Sequence, residues 1–411
     1  MGRSFSLRLI CALILVLINL GLGAQAESAI TAREAYAKLM QLGQVALAKD
    51  APEKAIVYFS KARRIAPRDP RAQLSLAEAF ARGGQVRRGE AFLRYLLRQP
   101  DQAQNEVYYL AALAKLQSRY PFVASASFAA LPSTNIRNTS SQTVFDTLLG
   151  RFEIDDGGDE TSGIGVDVGV KGLYRQSLAD GFSFEFGTSL HRIWYGEPEL
   201  RYWRGRLTAD LIWLEATQDL RVGLHADRIY YTDVEEDSSD RIASGIHGHW
   251  SRALPQDTRL SLNGLAEYRD YLDKGSLSGP YASLGLGWSK RFDNSALFFL
   301  GGSIERSKPS LDYHRYWGTT MRAGYDTNIT DTLRGGINLS ATLRHYDSDF
   351  SAVDYARQDE VYRIGVSLSD KRIKIMGGTP KLSCSYKIQN SNIALYEATS
   401  TDCRIGWSYQ F

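Results

Sequence analysis

The spacing of hydrophobic residues changes once along the chain, close to Tyr120. Between 30 and 118, apolar residues recur every three to four positions among Ala, Leu, Arg, Glu and Gln, which predicts amphipathic helices. Beyond Tyr120 apolar and polar residues alternate, which predicts strands with two different faces. The clearest example has an aliphatic residue at every second position: Ile164, Val166, Val168 and Val170.

About fourteen segments of the second region have this alternating character. They lie at 119–130, 162–176, 180–194, 200–216, 217–231, 240–253, 256–271, 277–292, 294–308, 312–326, 330–346, 357–370, 377–389 and 400–411. An even number of long antiparallel strands is typical of an outer-membrane barrel, although a soluble sandwich has the same alternation. The pattern fails near the start of 294–308, where successive apolar residues occupy both faces. That strand either contacts a segment inside the lumen or has a different register.

The connections favour the barrel over the sandwich. Tight turns are predicted at 179–181, 216–219, 255–257 and 293–294. Longer polar loops are predicted at 233–240 and 346–356, and outer-membrane barrels alternate short periplasmic turns with longer external loops in this way. The segment 195–199 is short for an external loop. Because unpaired charges are costly in a soluble core, we expect the charged face of the strands to line a water-filled lumen.

The helical region matches one repeat template residue by residue. The tetratricopeptide pattern places large and small residues at fixed positions of two antiparallel helices, with a proline after the second. The matching positions are Leu39, Leu42, Gly43, Ala46, Ala55, Phe59 and Pro67. A weaker copy extends to Pro100, and a third helical segment follows at 104–117. Two units are few for an independent solenoid, so an unrelated helical hairpin is the alternative.

Tetratricopeptide repeats bind peptides or partner proteins along a concave face. The stretch from Glu27 to Tyr120 contains 16 Lys or Arg and 9 Asp or Glu, a net charge of +7. We therefore expect this region to receive a partner, and its charge favours an acidic one. A solvated helical surface is the alternative interpretation of the same charges.

The first 26 residues have the pattern of a secretory signal peptide. Arg3 and Arg8 precede an apolar run from Leu9 to Leu22, and Ala24-Gln25-Ala26 is an A-x-A cleavage site. The run is short for an uncleaved anchor helix, which needs roughly 20 apolar residues.

These patterns predict three parts, described here by residue range. Residues 1–26 form the signal peptide, 27–118 a periplasmic tetratricopeptide-like domain, and 119–411 a transmembrane β-barrel. The predicted fold class is therefore a helical repeat domain followed by an approximately 14-stranded antiparallel outer-membrane barrel.

The cysteines predict one disulfide. Removal of the signal peptide removes Cys11 and leaves Cys384 and Cys403, an even pair in an oxidising compartment. The two positions are symmetric about Ile393 and Ala394, so a regular hairpin places them opposite each other. The alternative is two small apolar residues that face lipid.

The charge gives no indication of nucleic-acid binding, and the motifs give none of catalysis. The net charge is only +3, and neither a G-x-S-x-G nor an H-E-x-x-H motif is present. His247 and His249 share a strand face, but two histidines are too few for a zinc site. The acidic cluster Asp155, Asp156, Asp159 and Glu160 is typical of a solvated loop. We expect neither an enzyme nor a cofactor.

The last strand resembles the assembly motif of outer-membrane barrels, which ends in aromatic or apolar residues. The matching positions are Arg404, Gly406, Tyr409 and Phe411. The resemblance implies contact with outer-membrane lipid and recognition by periplasmic chaperones and the barrel-assembly machinery.

Two further stretches resemble the surface lipoprotein assembly modifier (Slam) family. "LPSTNIRNTS" (131–140) is similar to a segment of the Slam barrel domain, and the matching positions are Pro132, Asn135, Ile136 and Thr139. The segment 390–411 is similar to that domain's final hairpin. Arg137 and Ala398 depart from the family pattern, where Asn and an aromatic residue stand.

The Slam resemblance implies a function in type XI secretion. Members export proteins, often lipoproteins, across or onto the outer membrane, and many cargoes serve iron or haem uptake or host interaction. The expected partner is thus an exported cargo protein, received by the repeats and passed through the barrel. The alternative is a passive porin or an exopolysaccharide export channel, in which helical repeats also adjoin a barrel.

Overall fold

A computed structural model describes residues 31–154, 161–234, 238–292, 295–375 and 378–410. The predicted signal peptide, the acidic cluster Asp155, Asp156, Asp159 and Glu160, and Phe411 lie outside the described residues. The described chain divides into two compact units between Leu116 and Gln117.

The first unit consists of helices. They are α1 (31–48), α2 (Pro52–Ile65), α3 (Pro70–Arg82), α4 (Val86–Leu97) and α5 (Glu106–Arg119), with a 3₁₀ turn Pro100–Asn105 before α5. Prolines begin α2 and α3, where a missing N–H costs nothing. Asp69 caps α3 by accepting a hydrogen bond from the Arg71 backbone N–H at 2.9 Å. A hydrogen bond from the Arg71 side chain to the same carboxylate lowers the pKa of Asp69.

Small residues let α1 and α2 approach each other closely. A Cβ at Gly43 would lie 2.4 Å from the ring of Phe59, so only glycine leaves room for that ring. Ala46, Ala55 and Phe59 are buried in the same cluster. Among the other template positions, Leu42 and Pro67 are exposed and Leu39 is half-buried.

The same packing recurs one repeat later. Ala77 and Leu93 follow Gly43 and Phe59 by 34 residues, the length of a tetratricopeptide unit. A Cβ at Gly89 would lie 2.7 Å from the Ala77 carbonyl oxygen, so α3 and α4 also meet through a glycine. Equivalent positions in the two helix pairs therefore have equivalent roles.

Replacing Phe59 by Ala is expected to destabilise the helical unit. The ring is fully buried, and removing such a side chain costs about 3–5 kcal/mol of unfolding free energy. Urea unfolding of residues 27–119, expressed alone, would measure the change. The control is Val57→Ala on the exposed face of α2, which should change the free energy by less than about 0.5 kcal/mol. Equal effects of the two substitutions would contradict the packing described for Phe59.

The second unit is a closed antiparallel barrel of fourteen strands with one small separate hairpin. The strands are β1 (Phe122–Ser133), β2 (Val144–Thr147), β3 (Gly150–Glu153), β4 (Gly163–Ala179), β5 (Phe182–Trp194), β6 (Tyr202–Leu214), β7 (Gln218–Tyr231), β8 (Arg241–Leu254), β9 (Thr258–Tyr271), β10 (Gly279–Arg291), β11 (Leu297–Ser307), β12 (Tyr316–Asn328), β13 (Leu333–Asp349), β14 (Ala356–Asp370), β15 (Lys381–Ser391) and β16 (Ala398–Gln410). Strands β4 to β16 pair in sequence order, and β1 closes the ring between β4 and β16. The hairpin β2–β3 lies outside the ring. The predicted fold class is confirmed.

The two faces of the strands differ as the alternation predicts. On β7, Val222 and Leu224 are more than half exposed on the outer face, whereas His225 and Asp227 are buried on the other. The described helices include none that is long and apolar enough to cross a membrane.

At the irregular strand β11, Phe299 lies over Gly324 of β12, where a Cβ would be 2.2 Å from its ring. Because glycine has no side chain, Gly324 leaves space for the Phe299 ring on the lumen face.

At one end of the barrel, four connections described in full span two to four residues: 180–181, 215–217, 255–257 and 329–332. The connection from β14 to β15 at the same end is longer, and the connections at the opposite end span six residues or more. We call the end with the short connections the turn end and the opposite end the loop end; in outer-membrane barrels the turn end faces the periplasm. At 255–257, Gln256 and Asp257 both have positive φ, as a tight hairpin turn requires.

The first strand differs from its predicted range of 119–130. Helix α5 continues to Arg119, and β1 runs from Phe122 to Ser133. Pro121 explains the start, because the residue before a proline is disfavoured in a helix. The first three residues of the segment 131–140 therefore belong to a strand rather than to the loop that follows it.

Candidate functional site: the barrel lumen and the closing seam

The last strand meets the first at what we call the closing seam, the junction of β16 with β1. Tyr409 is exposed on the outer face, and Trp407 packs against Phe128 of β1 with ring centroids 4.8 Å apart. Gly406 lies opposite Ala129, and a Cβ there would be 3.0 Å from the Ala129 Cβ. Three of the four predicted motif residues thus have defined places at the seam: Arg404, Gly406 and Tyr409.

Arg404 links strands on both sides of β1. Its Nη2 donates to Asp167 Oδ2 at 2.7 Å, and Asp167 lies on β4, beyond the first strand. Asp167 Oδ1 is 2.9 Å from Nδ1 of His191 on β5. Ala129, fully buried, lies directly between β4 and β16 in this row, and its small side chain leaves space for the arginine. The contact forms only when the barrel closes.

The segment 131–140 continues the seam at the loop end. The pairing of β1 with β16 is interrupted at Leu131 and Pro132, and resumes at Ser133. Proline has no N–H for a ladder hydrogen bond. Beyond the interruption, Thr134 N–H donates to the Thr401 carbonyl at 3.1 Å, and Thr401 N–H donates to Thr134 Oγ1 at 2.9 Å.

Asn135 fastens this segment to the last strand. Its Nδ2 donates to the carbonyl oxygens of Thr139 and Thr399, both at 3.1 Å. Its Oδ1 accepts from the Thr139 backbone N–H at 3.0 Å. The residue is buried, so each of these bonds replaces one that water would have made. Asn135 therefore holds a turn of its own loop and joins that turn to β16.

The neighbours of Asn135 reach two other parts of the barrel. Ile136 lies over Gly163 of β4, where a Cβ would be 2.8 Å from its Cδ1. Arg137 forms ion pairs with Glu197 and Glu199 in the β5–β6 loop, and these hydrogen bonds raise its pKa. We call residues 132–139 the seam latch, since they connect β1, β4 and β16 at the loop end.

Replacing Asn135 by Ala should loosen the seam latch. Leaving its backbone partners unpaired costs about 1–3 kcal/mol, enough to expose Arg137 to protease far more often. Trypsin treatment of intact cells, with the barrel detected afterwards, would measure cleavage at that arginine. The control is Gln142→Ala, because Gln142 makes one exposed contact, to Glu397 at 2.6 Å. Similar cleavage in both variants would contradict the role assigned to Asn135.

The lumen wall carries paired charges of both signs. Arg221 binds Glu185 at 2.8 Å and Asp210 at 2.9 Å, which joins β5, β6 and β7. Further round the wall, Glu305 accepts from the Tyr281 hydroxyl at 2.7 Å and from Arg344 Nε at 3.2 Å. Glu185 and Asp210 are buried, so pairing with Arg221 offsets the cost of removing these charges from water.

Loops pack together at the loop end. Phe145 of β2, Val353 and Ile393 form a buried apolar cluster that also touches Phe350 and Tyr396. The β2–β3 hairpin joins it through the Leu148 N–H, which donates to the Ala352 carbonyl at 3.1 Å. The sequence did not predict this hairpin, because its strands are short and their partners are loops distant in sequence.

A charged group lies beside this cluster. Arg357 forms two hydrogen bonds with Asp359, at 2.8 and 2.7 Å, and its guanidinium carbon is 3.1 Å from the centre of the Tyr396 ring. Burial, and secondarily the Arg357 charge, lower the pKa of His314 in the β11–β12 loop. The loop cluster therefore combines apolar contacts with a buried ion pair.

The cysteines lie opposite each other in the final hairpin. Cys384 of β15 pairs with Cys403 of β16 in the strand register, and a disulfide joins them. The bond closes a segment that contains the β15–β16 loop, where the Glu397 carbonyl accepts from the backbone N–H of Ser141, just beyond the seam latch, at 2.8 Å.

The histidines noted in the sequence do not form a site together. His247 Nε2 contacts Asp210 at 2.7 Å, whereas His249 Nδ1 contacts Asn263 at 2.6 Å. Among the described residues, one group is close enough to hold a metal ion: His225, Asp227 and Glu267. The alternation along each strand is enough to place these residues on the lumen face. That the side chains of β7 and β9 meet follows only from the strand register, which the alternation does not give.

One family model matches residues 124–411, that of the surface lipoprotein assembly modifier. The chain belongs to the surface lipoprotein assembly modifier family. The match covers the barrel from β1 to the last residue, including the seam latch and the final hairpin. Membership, together with the barrel, places the protein in the outer membrane and in a class whose role is transport. No curated protein matches the chain.

Several solved structures resemble this chain at low sequence identity. OmpT of Vibrio cholerae is 7% identical with a TM-score of 0.41, covering 70% of this chain and 97% of its own. DcaP of Acinetobacter baumannii is 10% identical with a TM-score of 0.40, covering 70% and 96%. A FadL homologue of Pseudomonas aeruginosa is 10% identical with a TM-score of 0.37, covering 76% and 94%. Likenesses at this level carry no functional argument.

Proposed function

We propose that this protein exports a specific partner protein from the periplasm to or across the outer membrane. The partner is a surface lipoprotein or a soluble secreted protein. Residues 27–118 receive it in the periplasm after removal of the signal peptide 1–26, and the barrel, 119–411, provides the passage. The observation that carries the proposal is the joining of a helical repeat unit to a barrel of the surface lipoprotein assembly modifier family.

Two features of the helical unit support a role in receiving protein cargo. Tyr95 on α4 and Val107 and Tyr108 on α5 are each at least half exposed, and exposed apolar groups often mark protein contacts. The stretch from Glu27 to Tyr120 also has a net charge of +7, which favours a cargo with an acidic surface.

The resemblance to the Slam family supports further details of the proposal. It suggests cargo that serves iron or haem acquisition, and insertion of the barrel by periplasmic chaperones and the barrel-assembly machinery. The Arg404, Gly406 and Tyr409 positions at the seam are consistent with the final-strand motif that this machinery reads. No chemical step is required of the barrel itself.

A comparison of two activities tests the proposal against a passive channel. The purified full-length protein, reconstituted in lipid vesicles, should admit sugars and small ions poorly. The same protein in cells should be needed for a secreted or lipid-anchored protein to reach the surface. Rapid vesicle swelling in sugars, together with an unchanged cell surface, would favour a porin or an exopolysaccharide export channel and would contradict the proposal.

A further inference from the structure

A histidine and two carboxylates meet on the lumen wall across an intervening glycine. His225 and Asp227 share the lumen face of β7, and Glu267 lies on β9. Between them, Gly245 of β8 is opposite both His225 and Glu267. Because Gly245 has no side chain, His225 Nε2 reaches Glu267 Oε2 at 2.8 Å. One ligand atom from each of the three residues lies within 4.8 Å of the others.

The polar atoms of this group are buried and incompletely paired. The His225 side chain is fully buried, and that of Asp227 is more than nine-tenths buried. Among the residues that the structure describes, Asp227 Oδ1 and His225 Nδ1 have no hydrogen-bond partner. Buried polar atoms are rarely left in this state unless a water or an ion completes the site.

An arginine contacts one oxygen of each carboxylate, and the second oxygen of each is then available to bind a ligand. Arg269 Nε donates to Glu267 Oε1 at 2.7 Å, so Oε2 is directed to His225. Arg206 Nη1 is 3.4 Å from Asp227 Oδ2, whereas Oδ1 has no hydrogen-bond partner in the described part of the chain. Outer contacts of this kind orient the carboxylates that bind a metal.

We propose that His225, Asp227 and Glu267 bind one divalent transition-metal ion of the zinc class. Imidazole nitrogen and carboxylate oxygen are the ligands that Zn²⁺, Co²⁺ and Ni²⁺ accept. Bonds of about 2.0–2.2 Å to a tetrahedral ion place two ligand atoms roughly 3.4 Å apart. His225 Nε2 and Glu267 Oε2 lie 2.8 Å apart, so a small separation of the two side chains would admit the ion. A metal ion at Nε2 takes the neutral imidazole with its one proton on Nδ1, so no hydrogen then lies between His225 Nε2 and Glu267 Oε2.

The bound metal would join β7 to β9 across β8, and water would complete its coordination. Three protein ligands leave at least one position for water. The site lies on the lumen wall, away from the closing seam, and the proposal does not depend on cargo export.

Cobalt titration of the full mature chain tests this site. Untagged protein in detergent is stripped with a chelator and titrated with Co²⁺, whose visible absorption reports ligand geometry. We expect one Co²⁺ per chain, and His225→Ala and Glu267→Gln should each weaken binding by more than about tenfold. The control is His249→Ala, since His249 contacts Asn263 outside the group and should leave binding unchanged.

Three outcomes would overturn the proposal: no Co²⁺ absorption in the unaltered chain, unchanged binding in both site variants, or an equal loss in His249→Ala. Heat-dependent gel mobility shows whether each variant keeps a folded barrel. If His225→Ala does not fold, Glu267→Gln decides, because it retains size and hydrogen bonding while removing the charge.

Discussion

Deleting residues 27–118, with the signal peptide retained, is expected to abolish export and leave the barrel in the outer membrane. The helical unit and the barrel are separate compact units in the described structure, and the family match begins within the barrel. Insertion should therefore survive the deletion. Cargo should accumulate in the periplasm, as measured by fractionation and by antibody binding to intact cells.

Point substitutions separate cargo reception from simple loss of the unit. Changing Val107 and Tyr108 together to Ala removes the exposed apolar surface of α5 and should reduce export several-fold. Val57→Ala, on the exposed face of α2, is the matched control and should leave export intact. Full export by the deleted chain would show that the helices are dispensable and would remove them from the proposed mechanism.

Changing Tyr409 and Phe411 together to Ala should sharply reduce the amount of inserted barrel. Tyr409 lies on the lipid face of the strand that closes the ring, and terminal aromatic residues resemble the signal read during assembly. The expected result is accumulation of unfolded chain in the periplasm. Heat-dependent gel mobility of outer-membrane fractions measures the inserted fraction.

The matched control for that substitution is Tyr325→Ala. Tyr325 has a similar lipid exposure to Tyr409 but lies on β12, away from the closing seam. It tests whether loss of any lipid-facing aromatic residue is enough to impair insertion. If Tyr325→Ala impairs insertion as severely as the terminal change, the seam has no special role. If the terminal variant inserts normally but does not export, the assigned order of events is wrong.

Alternation along the chain predicted the strands, and the connections together with the charged strand face favoured a barrel over a sandwich. Each strand presents one apolar and one polar face, and the turns at 180–181 and 255–257 are short enough to fix antiparallel neighbours. The symmetry of the final hairpin also predicted that Cys384 would oppose Cys403, which is their register in the structure. Local pattern therefore determines both the faces and much of the pairing.

Contacts made by ring closure and by loops could not be predicted in this way. Arg404 meets Asp167 only because β1, which precedes both in the chain, lies between their strands. The family resemblance marked Asn135 in the sequence. It did not indicate that Asn135 donates a hydrogen bond to the Thr399 carbonyl. The hairpin that begins at Val144 is stabilised by distant loops, and its short strands have no periodic signal of their own.

The closing seam combines the features that the barrel needs for both assembly and stability. Small residues, Ala129 and Gly406, let the strands approach, and Arg404 then ties β16 to β4 across them. At the loop end, the seam latch continues the pairing beyond the interruption at Pro132. The resemblance to Slam at 131–140 thus falls on a segment whose structural task is to hold first and last strands together.

If the barrel and its helical unit export a partner protein, the set of proteins found at the cell surface depends on them. Measuring that set is the most direct test. Surface-shaved peptides and culture supernatant would be compared by mass spectrometry between cells that carry this protein and cells that lack it. The account predicts that one or a few proteins leave the surface or supernatant when it is absent and accumulate in the periplasm. An unchanged set of surface and released proteins, with reduced uptake of small solutes, would contradict it.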